Sequence, residues 1–227
     1  MSRPLLSDST RHLRRSTAVA GLATPVFQFG GQGFMLQGRT EPAFDAPAAE
    51  IITFFATTNQ DLFAVGSYLS ALSVLTVLCF FGGLYALLRD DWRAPIALAC
   101  GVAYAGGVGV GWELAVFRLS DGIDPQLARF AYDLGNLSFA TAWVALGGFA
   151  VATGWAMATS FASSRLGWWA VATGVALVGA RAVWTTSWWL VGYASFWVWA
   201  VVVCILLLRG RQILVRPVHE PQHAVSR

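Results

Sequence analysis

The stretch LFAVGSYLSALSVLTVLCFFGGLYALL, Leu62 to Leu88, runs between Asp61 and Arg89 without a charged residue. A bilayer hydrocarbon core about 30 Å thick is spanned by roughly 20 mainly apolar residues of α-helix, so this stretch predicts a transmembrane helix. Working outward, the pattern recurs at Ala94 to Phe117, Leu134 to Ala158, Leu166 to Trp184 and Trp188 to Leu208. Ala18 to Leu36 is diluted by Pro25, Gln28, Gln32 and several glycines. It is counted as a first span because Arg14 and Arg15 precede it, Arg39 follows, and no small-residue cleavage site closes it. The expected fold class is all-α, a polytopic transmembrane helix bundle of six spans.

Of the 227 residues, 56% are hydrophobic and 12% charged, which puts nearly all ordered mass in or on a bilayer and leaves no room for a separate soluble catalytic domain. The expected division is a basic N-terminus over 1–15, a transmembrane domain over 16–209 with an outer interfacial helix at about 46–57, and a polar tail over 210–227. Lysine is absent and all cationic side chains other than histidine are arginine. The net charge of +3 sits between apolar spans, as the positive-inside rule requires, so the lipid bilayer is the expected partner and nucleic acid is not. Cys79, Cys100 and Cys204 lie within predicted spans with no paired spacing, and read as small hydrophobes.

Arginine placement sets the orientation. Arg3, Arg11, Arg14 and Arg15 precede span one, Arg89 and Arg93 join spans two and three, Arg165 joins four and five, and Arg209, Arg211 and Arg216 follow span six. The other side holds Arg39, Arg118 and Arg129 among Glu41, Asp45, Glu50, Asp121 and Asp124. Both termini are therefore expected to be cytoplasmic, in a plasma-membrane protein. Trp92, Trp168 and Trp169 mark the inner rim and Trp112, Trp184, Trp188 and Trp189 the outer, while Trp143, Trp197 and Trp199 sit deeper and pack between helices.

Local signals place the helix starts. Asp45 with Pro47 and Glu50 predicts a short amphipathic helix on the outer interface. Thr58 and Asp61 have capping-box spacing before span two, and Asp124-Pro125 reads as the N-cap and first residue of the fourth span's helix. Small residues at four-residue spacing, Gly101/Ala105/Gly109, Ala103/Gly107/Gly111 and Ala172/Ala176/Ala180, predict close-packed seams, one of which would also serve a homo-oligomer or membrane-protein partner.

His219-Glu220-Pro221-Gln222-His223 spells the zinc-peptidase pattern, but its central proline opposes the helix that must present both histidines, so neither a metal site nor catalysis is expected. No span contains histidine for haem, lysine is absent for a retinal Schiff base, and there is no phosphate loop, so no cofactor is expected. What stands out is a set of polar side chains at similar depth in the outer half: Gln28 and Gln32 one turn apart, Asp61, Glu113, Asp133, Asn136 and Arg181. Buried ionisable groups in a membrane are costly, face inward, and mark candidate ligand sites. The structural reading of the same residues is a cap at Asp61, an Asp133 pair with Arg129 at four-residue spacing, and snorkelling of Glu113 and Arg181. Glu113 with Arg181 is the pair expected to matter most, because Glu113 shares the small-residue face of its span.

Arg14-Arg15 leading into Ala20-Gly21-Leu22, Pro47 to Glu50 through Phe81-Gly-Gly-Leu84, and Arg165-Leu-Gly-Trp168-Trp169 resemble a bacterial six-span membrane family, mainly actinobacterial and named only as a domain of unknown function. The chain departs from it at Ser164, where the family pattern has proline. The resemblance implies architecture and plasma-membrane location, and brings no reaction or ligand. The expected function is a non-enzymatic bundle that binds a small amphiphilic ligand or serves as a membrane-complex subunit. The alternative is a small-solute transporter or permease with an outer-facing polar cleft.

Overall fold

A computed structural model describes residues 8–107, 124–161 and 163–211. The described residues form helices α1 (Asp8–Leu36), α2 (Ala48–Ala56), α3 (Gln60–Leu88), α4 (Ala94–Gly107), α5 (Pro125–Ser160), α6 (Ser164–Ala180) and α7 (Trp189–Leu208), with a 3₁₀ turn at Arg181–Val183 after α6. No strand occurs among them. Four helices are long and apolar enough to cross a membrane: α3, α5, α6 with its 3₁₀ turn, and α7. Of the other two expected spans, α1 has 29 residues but is too polar to count on composition, and α4 is apolar over 14 described residues. The architecture is compatible with a membrane protein. Exposed apolar side chains such as Val26, Val65, Leu75, Val175, Val191 and Val198 belt its outside, as lipid-facing surfaces require.

The six longer helices pack as a closed ring in which α1 meets α3, α3 meets α4, and so on through α5, α6 and α7 back to α1; α2 lies outside it against α5. Two seams are set by facing glycines. A Cβ on Gly66 of α3 would lie 2.6 Å from the Gly31 carbonyl oxygen and 2.8 Å from the Met35 nitrogen of α1. A Cβ on Gly154 of α5 would lie 2.5 Å from the Gly167 carbonyl oxygen of α6. Backbone cannot retreat as a side chain can, so both contacts exist only because Cβ is missing, and the gain is dispersion along the whole helix pair. Large rings fill the ring's centre: Phe80, Phe81, Phe149, Phe196 and Trp199 are fully enclosed, and Phe81 and Phe149 lie with centroids 4.0 Å apart.

Several local expectations are corrected. The N-cap of α3 is Asn59, whose side chain accepts from the Leu62 N–H at 3.1 Å; the Thr58 hydroxyl is instead donated to the Phe54 carbonyl and accepts from Arg39. Pro47 precedes α2 with no side-chain cap, so Asp45 does not start that helix. On α6, Ala172 and Ala176 are exposed; its buried face is Gly167, Ala170, Thr173, Gly174 and Leu177, with Ala180 at its end. α1 runs through Pro25 without interruption. Other expectations hold: the Asp124 carboxylate accepts from the Gln126 N–H at 2.7 Å with Pro125 opening α5, and Trp143, Trp197 and Trp199 are buried. Gly109, Gly111, Trp112, Glu113 and the segment 219–223 lie outside the described residues.

The arginine-bearing end is closed by a buried ion pair. Arg93 donates from Nε and Nη2 to both oxygens of Asp91 at 2.8 and 2.9 Å, and from Nη1 to the Thr159 hydroxyl at 2.8 Å. The Ser160 hydroxyl donates to Asp91 at 2.7 Å, which ties the α3–α4 turn to the end of α5. Burial opposes charge on Asp91, but these donors and the Arg93 N–H hold its carboxyl down to about 2.

Replacing Gly66 by alanine is expected to lower the thermal stability of the purified protein by roughly 1–3 kcal/mol, through overpacking. Gly82→Ala, where a Cβ would meet nothing within 4 Å, is expected to leave it unchanged or slightly raised. Equal melting temperatures for the two variants would contradict the glycine seam.

Candidate functional site

At the end of the bundle opposite that ion pair, α1 must turn over to reach α2. Gln37 (φ 54°) and Gly38 (φ 73°) both take left-handed backbone there. Gln37 pays for its conformation with a reciprocal amide brace, accepting from the Asn59 N–H at 3.0 Å and donating to the Asn59 carbonyl at 2.8 Å. The connection then crosses the bundle and is held down by two arginines. Arg39 donates to the Phe54 carbonyl at 2.9 Å and to the Thr57 and Thr58 hydroxyls, with its guanidinium 4.4 Å from the Phe54 ring centroid. Arg129 of α5 donates to the Ala46 carbonyl at 2.7 Å and the Phe44 carbonyl at 3.1 Å, while its Nε contacts both oxygens of Asp133 at 3.0 and 3.1 Å. The Tyr132 hydroxyl donates to the Pro42 carbonyl at 2.5 Å and lies 3.3 Å from the Glu41 carboxylate.

Beneath this roof lies a cavity of about 280 Å³. Its polar wall is Gln28 and Gln32 of α1, Ser70 of α3, Tyr132 and Asn136 of α5, Glu41 of the connection and Thr185. Its aromatic wall is Phe44, Phe139, Trp143, Trp184 and Trp189. Phe44 meets Trp184 edge-on at 4.2 Å, and Trp143 stacks on Trp189 at 5.0 Å. Gln28 is fixed by the Ser73 hydroxyl, which donates to its Oε1 at 2.8 Å. Three covered polar atoms of lining residues have no hydrogen-bond partner: Ser70 Oγ, Asn136 Nδ2 and Trp143 Nε1. Native proteins pair nearly all such atoms; of the seven unpaired ones among the described residues, these three belong to residues of one cavity.

Burial pushes the Glu41 carboxyl up to about 7, against the opposite pull of Tyr132 and Asn136. Asn136 is near enough to favour the charge, yet its Nδ2 finds no acceptor in hydrogen-bonding geometry. Among the described residues Glu41 has no ion-pair partner.

Of the polar residues singled out in the sequence, Gln28, Gln32 and Asn136 are brought together here. Asp133 is taken up by Arg129, Asp61 is exposed on the first turn of α3, and Arg181 stands 5.6 Å from the Trp184 ring without lining the cavity. The expected Glu113–Arg181 pair lies outside the described residues at Glu113. Glu41 and Tyr132 were not anticipated: the first sits in an irregular connection and the second reads as an ordinary interfacial aromatic. The comparisons leave this geometry to speak for itself: no protein-family model, no curated protein and no solved structure matches the chain.

Because its folded-state value lies above the ordinary 4.5, Glu41 contributes stability that is full below about 4.5 and lost as pH rises through about 7. Asp91 has the opposite sign and titrates below this window. The melting temperature is therefore expected to fall as pH is raised across that range, and Glu41→Gln to flatten the slope. A Glu41→Gln profile parallel to the parent's would contradict the enclosed carboxyl.

Proposed function

We propose that this chain is a non-enzymatic six-span bundle of the plasma membrane, with both termini in the cytoplasm and its cavity opening towards the outer side, where it binds a small amphiphilic ligand. The observation that carries the reading is the cavity itself, a concave site of one polar and one aromatic wall with unpartnered polar atoms, which is the ordinary composition of a small-molecule site. The closed ring of six helices supports six spans. Orientation is supported by Arg11, Arg14, Arg15, Arg89, Arg93, Arg165, Arg209 and Arg211, which all belong to the end opposite the cavity. Membership of the bacterial six-span family remains part of this proposal and supplies no activity.

The packing below the cavity favours binding over transport. Tyr104 and Tyr193 are buried with their hydroxyl oxygens 3.4 Å apart, and Phe81, Phe149 and Phe196 fill the layer beneath. A transporter places its substrate near the midplane between repeated halves. Here the cavity is at one end and the middle is packed with rings.

With Cys79, Cys100 and Cys204 replaced, Gln32→Cys and Asn136→Cys are expected to react with a membrane-impermeant maleimide added to intact cells, while Arg209→Cys reacts only after lysis. Protection of Gln32→Cys or Asn136→Cys by a small amphiphile would complete the reading. Reaction of Arg209→Cys in intact cells would reverse the orientation, and no reaction at either cavity position would overturn the outward-opening site.

A further inference from the structure

Among the described residues the cavity wall carries one charged side chain, Glu41, and it is acidic. Among the described residues, Arg39 is engaged with the Phe54 ring and the Thr57 and Thr58 hydroxyls and Arg129 with Asp133 and two carbonyls, while Arg181 stands 5.6 Å from the ring of the cavity-lining Trp184. None of the three lines the cavity. An anionic ligand would thus meet Glu41 with no cation on the described wall, and a neutral one would leave the half-enclosed carboxylate with hydrogen-bond donors such as the Tyr132 hydroxyl but no counter-charge. A cationic ligand removes that deficit.

The remaining walls fit the same ligand. The ring faces of tryptophan, tyrosine and phenylalanine carry negative quadrupole density, and several rings around one acidic group make the kind of box that binds ammonium groups better than their uncharged analogues. Phe44, Trp184 and Trp189 stand on the same cavity as Glu41, and the Phe44 ring is fixed edge-on to Trp184. Asn136 Nδ2 and Trp143 Nε1 are donors without an acceptor. A ligand oxygen reaching either of them after a small side-chain shift would restore a hydrogen bond that the covered donor forfeits.

We propose that the cavity takes an organic cation with an apolar body and a carbonyl or ether oxygen, its ammonium group set against Glu41 and the surrounding rings and its oxygen towards Asn136 and Trp143. This rests on the ligand-binding reading above and specifies the chemical class that the site selects.

The matched probes are benzoylcholine and 3,3-dimethylbutyl benzoate, which share shape, ring and ester and differ in the cationic nitrogen. Binding to the full-length protein in lipid nanodiscs is followed by tryptophan fluorescence and by thermal shift, referenced to empty nanodiscs, at about pH 8 where a carboxyl of this kind is ionised. Benzoylcholine is expected to bind at least about tenfold more tightly than the neutral ester. Glu41→Gln is expected to abolish that preference while leaving the protein monodisperse. Trp184→Leu, at the half-exposed rim and checked for monodispersity in the same way, is expected to weaken the cation more than the ester. Equal affinity of the two probes, or a preference that survives Glu41→Gln, overturns the cationic ligand and leaves the binding reading intact. Failure of both probes to bind saturably overturns both.

Discussion

The guanidinium of Arg129 is the interaction on which the polar end of this protein depends. It sits between the Asp133 carboxylate and the carbonyls of Phe44 and Ala46, so one side chain of α5 anchors the connection that leaves α1. Carbonyls withdrawn from water must find donors, and a planar cation fixed by its own carboxylate supplies them in a set direction. Tyr132, three residues further along α5, adds a bond to the Pro42 carbonyl. Together they hold residues 41–46 across the helix ends, which is what puts Glu41 and Phe44 on the cavity wall.

The two ends of the bundle hold their carboxylates differently. At the arginine-bearing end, Asp91 and Arg93 satisfy each other and draw in Thr159 and Ser160, so the buried charge is fully paired and the carboxyl stays ionised. At the other end the part-buried Glu41 has no ion-pair partner among the described residues, and Asn136, Trp143 and Ser70 keep unpaired atoms. The glycine seams between α1 and α3 and between α5 and α6 give the frame its rigidity. What sets the cavity end apart is that its unpaired groups belong to residues lining a hollow, whereas the unpaired Nε and Nη1 of Arg14 at the other end are packed within the bundle.

Much of this was legible in the sequence, for identifiable reasons. Length and hydropathy locate the helices because the bilayer imposes both, and Asp124-Pro125 fixes the start of α5 because cap chemistry is local. Gln28 and Gln32 could be put on one face by helical spacing, and Asn136 at their depth by topology; all three line the cavity. The Arg129–Asp133 pair follows from four-residue spacing. Spacing could not say which small-residue stripe of α6 faces α5: Ala172 and Ala176 fit the pattern but look outward, and the contact uses Gly167 and Gly174. Nor could it find Glu41, whose position depends on a left-handed turn at Gln37 and Gly38 and on bonds from α5, more than eighty residues away. Irregular segments have no period to read, and their placement is decided by tertiary partners.

The account turns on one enclosed carboxyl, and its titration is the direct measurement. Infrared difference spectra of the purified protein should show a protonated carboxyl stretch that disappears with a midpoint at about 7 and is missing from Glu41→Gln. A Glu41 signal that titrates near the ordinary carboxylate value of 4.5 would place the group in open water and contradict the enclosed cavity.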